Sequence, residues 1–202
     1  MEVHVVTADR WADLVALFER KGPRGGIPIP GHCWCQAWRD QESPDGPKAN
    51  FKAATVDQDR HPGLIAYLDG RPVGWIAVAP RPDHAKLERS RKYGPGPDDH
   101  DVFAITCFYV DRDFRGTGVA SALLDAAITY ARNAGAQALD AFPKASLAPH
   151  TLANRRAEEN DSFMGRRASY EARGFTILRD TGARLVMHLI LSPTNPLSGE
   201  VG

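Results

Sequence analysis

The stretch "VDRDFRGTGVASALL", residues 110–124, decides how this chain is read. It leaves an unbroken apolar run, "VFAITCFYV" (102–110), and turns a corner built from Arg115, Gly116 and Gly118. It then enters a segment with Ala120, Leu123, Leu124, Ala127, Ile128 and Ala131 at helical spacing. The apolar run predicts a strand covered on both faces. With the strand ending near Val110 and the helix starting near Thr117 or Gly118, the amides between them face open space at a helix N-terminus. Unpaired N–H groups and roughly half a positive charge there favour an anion. Arg115 adds a forked cation suited to phosphate oxygens, and the two glycines carry no side chain to block close approach. A plain glycine turn with a solvated arginine fits the same letters, because short glycine motifs recur by chance. No Gly-Lys-Ser/Thr follows, so this is not a Walker loop, and the third glycine of a dinucleotide fingerprint falls on Ser121. A phosphate-binding turn of another kind is left.

Working outward, "EVHVV" (2–6) predicts a short strand, and "TADRWADLVALFERKG" a helix opened by Thr7 or Asp9 and closed by Gly22 and Pro23. "HCWCQAWR" (32–39) reads as extended, and 44–58 as a weak helix. "GLIAYLDGRPVGWIAVAP" is a hairpin about the favoured Asp69–Gly70 turn. A long polar excursion, 81–101, precedes the central strand. After the central helix, which stops at Gly135, "AQALDAF" gives a strand at 137–142. A polar loop follows at 144–160, then a helix near 162–173 with Gly174 at its C-terminal cap, and "RLVMHLIL" as a last strand. The alternation predicts an α/β fold with a parallel pairing between 102–110 and 137–142. Residues 1–191 form one domain in this reading, and the Pro/Gly-rich 192–202 a flexible tail.

The chain has 202 residues, 25 basic and 25 acidic, with 43% hydrophobic side chains. Zero formal charge argues against a dedicated nucleic-acid binder, and no apolar run is long enough to span a bilayer. Three cysteines and no secretory leader pattern point to a cytoplasmic setting.

The corner, its strand and the downstream "SYEARGF" (169–175) together resemble the GNAT N-acetyltransferases, whose cofactor motif reads Gln/Arg-x-x-Gly-x-Gly/Ala. Arg115, Gly118 and Ala120 fill that motif in register, and the Asp-Gly hairpin lies upstream in the same order. The likeness spans roughly residues 60–190, and is nearest to a bacterial branch with a Cys-Trp-Cys segment, here Cys33-Trp34-Cys35. It implies a mixed sheet with splayed parallel strands at 102–110 and 137–142, flanked by helices. It implies acetyl-CoA as co-substrate, its pantetheine arm on the backbone of Phe108 and Val110 and its pyrophosphate on the amides of Arg115, Gly116, Thr117, Gly118, Val119 and Ala120. The implied reaction is direct attack on the thioester by a primary amine of a small molecule or peptide. Such folds also form homodimers.

By the same resemblance Tyr170 matches the acid that protonates the departing thiolate, although a core aromatic of the last helix fits equally. Ala104 stands where histone-acetylating relatives carry a glutamate base, so the base lies elsewhere or a water relays the proton to a strand-end carboxylate. Asp101 is the first candidate, with Asp99, His100 and Asp140 as others. Cys107 reads as a small core residue. No second ligand pair is spaced to make a zinc site with Cys33 and Cys35, which in a strand would share one face. Trp34 reads as core, and Trp38 as core or acceptor pocket. Arg166, Arg167 and Arg173 form a solvated face from which one could reach the 3′-phosphate, while Phe163 replaces a usual asparagine contact. The excursion 81–101, with Lys86, Arg89, Arg91, Lys92, Asp98 and Asp99, is either a mobile surface loop or a lid over the acceptor. An acyl-CoA-binding sensor without turnover, and a fold holding another phosphorylated nucleotide, are the competing functions.

Overall fold

The computed structural model describes residues 1–22, 25–39, 44–58, 60–94, 101–145 and 162–191. The proposed tail therefore lies outside the described residues, as do Asp98, Asp99 and His100. Seven strands form one sheet: β1 (Glu2–Val5), β2 (Gly63–Leu68), β3 (Arg71–Pro80), β4 (Val102–Val110), β5 (Ala138–Ala141), β6 (Thr176–Asp180) and β7 (Leu185–Ile190). Their order is β1-β2-β3-β4-β5-β7-β6. Every neighbouring pair is antiparallel except β4 and β5, which run parallel as the alternation predicts. The hairpin is the one expected: Asp69 and Gly70 both hold positive φ, 49° and 73°, as a two-residue type I′ turn requires.

The central helix α5 (Val119–Asn133) follows α1 (Trp11–Phe18), α2 (Ile29–Cys33), α3 (Gly46–Ala54) and the short α4 (Ala85–Glu88). It buries Val119, Leu123, Leu124, Ala127 and Ala131 against one face of the sheet, where Ile76, Phe103, Ile105, Phe108 and Leu139 meet them. That approach is close. A methyl on Gly74 of β3 would stand 2.6 Å from Val119 Cγ1, so the glycine lets the first turn of α5 seat on the sheet. The helix ends in a Schellman cap, with Ala136 N donating to Ala131 O and Gly135 at φ 82°. The short α6 (Arg167–Glu171) ends the same way, Phe175 N on Tyr170 O and Gly174 at φ 84°. The opposite face carries a second cluster of Leu14, Phe18, Trp34, Phe51, Trp75, Cys107 and Tyr109.

Four expectations change. "HCWCQAWR" is not extended: α2 runs into it, Trp34 and Cys35 turn it through left-handed backbone (φ 46° and 55°), and a 3₁₀ turn covers Gln36–Trp38. The prolines decide this, Pro28 at the cap and Pro30 in the first turn favouring a helix start. Cys33 and Cys35 therefore do not share a strand face. The helix expected over 162–173 is broken into a 3₁₀ turn, Ser162–Met164, and α6 by Gly165 at φ 76°. Thr7 and Asp9 open a 3₁₀ turn (Ala8–Arg10) and not the helix itself. Strand β6, solvent-exposed along most of its length, was not anticipated, because its adjacent apolar residues Ile177 and Leu178 do not alternate with polar ones.

Candidate active site

Strand β4 pairs with β5 over only four residues, Val102↔Ala138 to Ile105↔Ala141. Just beyond, its register with β3 slips: Ile105 faces Val78 while Cys107 faces Ala77, which leaves Thr106 as an extra residue on β4. A bulge of this kind bends its strand and sharpens the twist. It sits where the parallel pairing stops, so β4 and β5 diverge there. The β5 edge of Thr106–Val110 has no strand partner among the described residues. Backbone groups on such an edge need partners, and Phe108 and Val110 lie on it.

At the end of that edge the chain enters the corner. Asp111, 2% exposed, braces it: its carboxylate accepts from the Asp113 amide (3.1 Å), from Arg20 Nη1 and from Arg71 Nη2 (3.5 Å). Arg71 in turn lies over the Phe114 ring, 5.0 Å from its centroid. Gly116 and Gly118 hold φ of 78° and 90°, with Gly118 the cap of α5. The first backbone bond of the helix is Ala122 N to Gly118 O. The amides of 116–121 therefore have no backbone acceptor among the described residues. Thr117 Oγ1 donates to Phe114 O, and the exposed Arg115 reaches Val110 O at 3.4 Å. Arg115, Gly116, Thr117, Gly118, Val119 and Ala120 thus stand at one helix N-terminus, at the end of the edge that carries Phe108 and Val110.

Tyr170 lies on the α5 side of β4, wholly buried, with its ring edge-on to Phe108 and Phe175. Its hydroxyl donates to Met164 O at 2.8 Å. A methyl on Gly165 would stand 2.6 Å from that hydroxyl, so the break in the helix is also what makes room for it. Burial, with Cys107 nearby, pushes the phenol well above its ordinary range and keeps it a proton donor. Asp101 is not brought to this place. It precedes β4 at φ 51° and lines a cleft of about 250 Å³ with Arg81, Glu88, Phe103 and Gly135. Four residues of strand, Val102–Ile105, separate it from Thr106, a span of five residue steps or about 16 Å. Cys107 is buried and its thiol pushed up by its neighbour Cys35 and by burial, which fits a core residue. On the solvated surface Arg173 is held in place: it ties the end of α6 to α5 through Asp125 (2.5 and 2.9 Å) and Ser121 Oγ (2.6 Å).

The excursion over 81–94 packs on the face of the sheet that carries Ala104. Leu87, Phe142, Met164 and Val186 surround Ala104 there, with Trp38 and Tyr93 against them. Asp140, fully buried, binds Arg81 and His188 on this face, a meeting of residues 81, 140 and 188 that no local pattern signals. Among the described residues no three His, Cys, Asp or Glu side chains gather closely enough to hold a metal ion. Nor is any described helix long and apolar enough to cross a membrane.

The family model for acetyltransferases of the GNAT type matches residues 29–175. Among solved structures, the chain is similar to the ribosomal-protein-S18-alanine N-acetyltransferase of Escherichia coli, with 14% identity, 97% of each chain covered and a TM-score of 0.51. It is similar also to an N-acetyltransferase from Staphylococcus aureus Mu50 (16% identity, 95% and 98% covered, TM-score 0.53). A third is the ribosomal-protein-alanine N-acetyltransferase of Brucella melitensis (17% identity, 95% and 100% covered, TM-score 0.52). These likenesses establish a shared fold. No curated protein matches.

Proposed function

The chain belongs to the acetyltransferase (GNAT) family, and from that premise we propose that it is an N-acetyltransferase moving the acetyl group of acetyl-CoA onto a primary amine of a small molecule or peptide. Acetyl-CoA is the co-substrate of the family. The observation that carries the reading is the coincidence of three features along one strand. The parallel pairing of β4 stops at Ile105, a bulge follows at Thr106, and the opened edge leads directly to unpaired helix amides. An extended chain of amides ending in a diphosphate is complementary to that surface. Phe108 and Val110 offer backbone groups to the arm, and the amides of 116–120, with the Arg115 guanidinium, hold the diphosphate, the Arg115 amide itself being bonded to Arg112 O.

In this reading Tyr170 supplies the proton that the departing thiolate takes up, its hydroxyl swinging from Met164 O toward the sulfur. A phenol kept protonated by burial suits donation and not base catalysis. The amine must lose a proton first, because a primary amine with an ordinary pKa of about 10 is almost wholly protonated at neutral pH. Ala104 favours one alternative, an acyl-CoA sensor without turnover, since alanine accepts no proton.

Two measurements test this. Acetyl-CoA should raise the unfolding temperature, and Arg115→Ala should reduce that rise. Free CoA thiol should then appear with at least one member of an amine panel. Binding without thiol release from any amine would support the sensor, and no thermal shift would remove both readings.

A further inference from the structure

We propose that the Thr106 hydroxyl donates to the thioester carbonyl oxygen of acetyl-CoA and steadies the charge that gathers there when the amine attacks; the inference rests on the acetyltransferase reading above. Thr106 is the extra residue of the bulge. Ile105 before it packs in the cluster on the α5 side, and Cys107 after it in the cluster on the opposite face. Residues two apart in an unbroken strand share a face. These two do not, so the change of face falls on Thr106. On one side of β4 at this point lies β3, with Val78 facing Ile105 and Ala77 facing Cys107. On the other side the pairing with β5 has ended at Ile105. The side left open to Thr106 is the gap between β4 and β5.

The state of the hydroxyl points the same way. Thr106 is 5% exposed, and its side chain has no hydrogen-bond partner among the described residues. The other six described threonines each donate to a carbonyl or carboxylate oxygen. A hydroxyl withdrawn from bulk water and given no acceptor is an exception that needs a reason. It also differs from Arg39 Nε and the His84 ring nitrogens, which are closed off from solvent without partners. The Thr106 oxygen keeps part of the small surface that its residue retains.

The length of the ligand brings the reacting carbon to this place. The first turn of α5 lies level with Val110: Gly74 faces Val110 across the β3–β4 ladder, and a methyl on it would stand 2.6 Å from Val119 Cγ1. A diphosphate on the amides of that turn therefore starts its arm beside Val110. That arm has about twelve bonds from phosphate oxygen to sulfur, the backbone length of about four residues, or about 14 Å when extended. Val110 to Thr106 is four residue steps of strand, about 13 Å. The sulfur and the acetyl carbonyl thus arrive at the bulge.

The amine reaches the thioester after giving one proton to water. Its nitrogen lone pair forms the bond to the carbonyl carbon, and the carbon–oxygen π pair moves onto the oxygen, where the Thr106 hydroxyl donates. That pair returns as the carbon–sulfur bond breaks. The thiolate takes a proton from Tyr170 in the reading above, and the proton that the nitrogen then sheds restores the phenol. Thr106 gives up no proton. Its bond strengthens as the oxygen becomes charged, so it acts on the transition state more than on binding.

The test compares full-length wild type with Thr106→Ser, Thr106→Val and Thr106→Cys, using acetyl-CoA and an amine that the wild type acetylates. Each is first checked for its unfolding temperature and its acetyl-CoA thermal shift. Serine keeps the hydroxyl, valine keeps the shape without it, and cysteine keeps only a weak donor. Thr106→Val should retain the thermal shift while kcat falls about 10²-fold with KM for acetyl-CoA little changed. Thr106→Ser should stay within about fivefold of wild type, and Thr106→Cys should fall with Thr106→Val, which keeps the comparison open if the valine variant does not fold. A folded Thr106→Val or Thr106→Cys enzyme within about threefold of wild-type kcat, or a Thr106→Ser enzyme as slow as either, would overturn the inference alone. A wild type that binds acetyl-CoA and acetylates nothing would overturn the enzyme reading and this inference together.

Discussion

At Gly116 and Gly118 a methyl would meet open space, so these positions demand a backbone conformation and not room. With φ at 90°, Gly118→Ala should cost about 1–2 kcal/mol, a drop of several degrees in unfolding temperature, and should weaken acetyl-CoA binding by disturbing the first amides of α5. Differential scanning calorimetry with and without acetyl-CoA reads both effects. His84 makes a different prediction. It is 1% exposed, neither ring nitrogen has a hydrogen-bond partner among the described residues, and burial beside Arg39 and Arg81 lowers its pKa well below the usual value. The unfolded chain thus binds a proton that the folded chain refuses. Stability is full above the unfolded value of about 6.5 and falls as pH drops through and below it, by at most about 1.4 kcal/mol per pH unit. Urea unfolding at pH 5, 6 and 7 should show this slope, and His84→Leu should flatten it. The glycine corner was legible in the sequence because its chemistry is contiguous. The Arg81–Asp140–His188 meeting was not, because its members are brought together only by strand order.

Helix α5 is where local pattern and tertiary packing agree: its apolar spacing, its capping glycines and its burial all coincide. What the pattern could not show is how near it sits to β3. Gly74→Ala should force Val119, 2.6 Å away, and Leu123, 3.0 Å away, to shift, at a cost of about 1–3 kcal/mol. Because Val119 opens the helix that carries the unpaired amides, the same change should weaken acetyl-CoA binding without touching a contacting residue. Titration calorimetry would check it, and unchanged affinity would show that the sheet does not set the position of the corner. Long elements such as β4 and α5 were readable for this reason: many residues repeat one signal. The Cys33–Trp38 segment misled because an apolar run of that length is consistent with strand or helix alike. Here Pro28 and the close packing of Gly31 on Phe18 O decide for a turn of helix. In exposed β6 the adjacent Ile177 and Leu178 give no alternation, and what makes it a strand is its pairing with β7, which no sequence window contains.

For the molecule as a whole, the sheet divides β4 into two parts with different neighbours. Phe103–Ile105 are paired on both sides, with β3 and with β5, whereas Cys107–Val110 are paired with β3 alone and Thr106 is the bulge. Amides whose partners lie within a central sheet open only with the larger cooperative unit, while those on an unpaired edge exchange readily. Hydrogen exchange should therefore be slow throughout 103–105 with or without ligand. Within 106–110 the amides that do not bond β3 should exchange faster in the free protein and slow markedly when acetyl-CoA is added, together with those of 116–121. Protection confined to the corner would mean that the diphosphate alone is held. Protection of both segments at once would mean that the opened edge and the helix terminus act as one binding surface, which is what a bulge placed at Thr106 is arranged to produce.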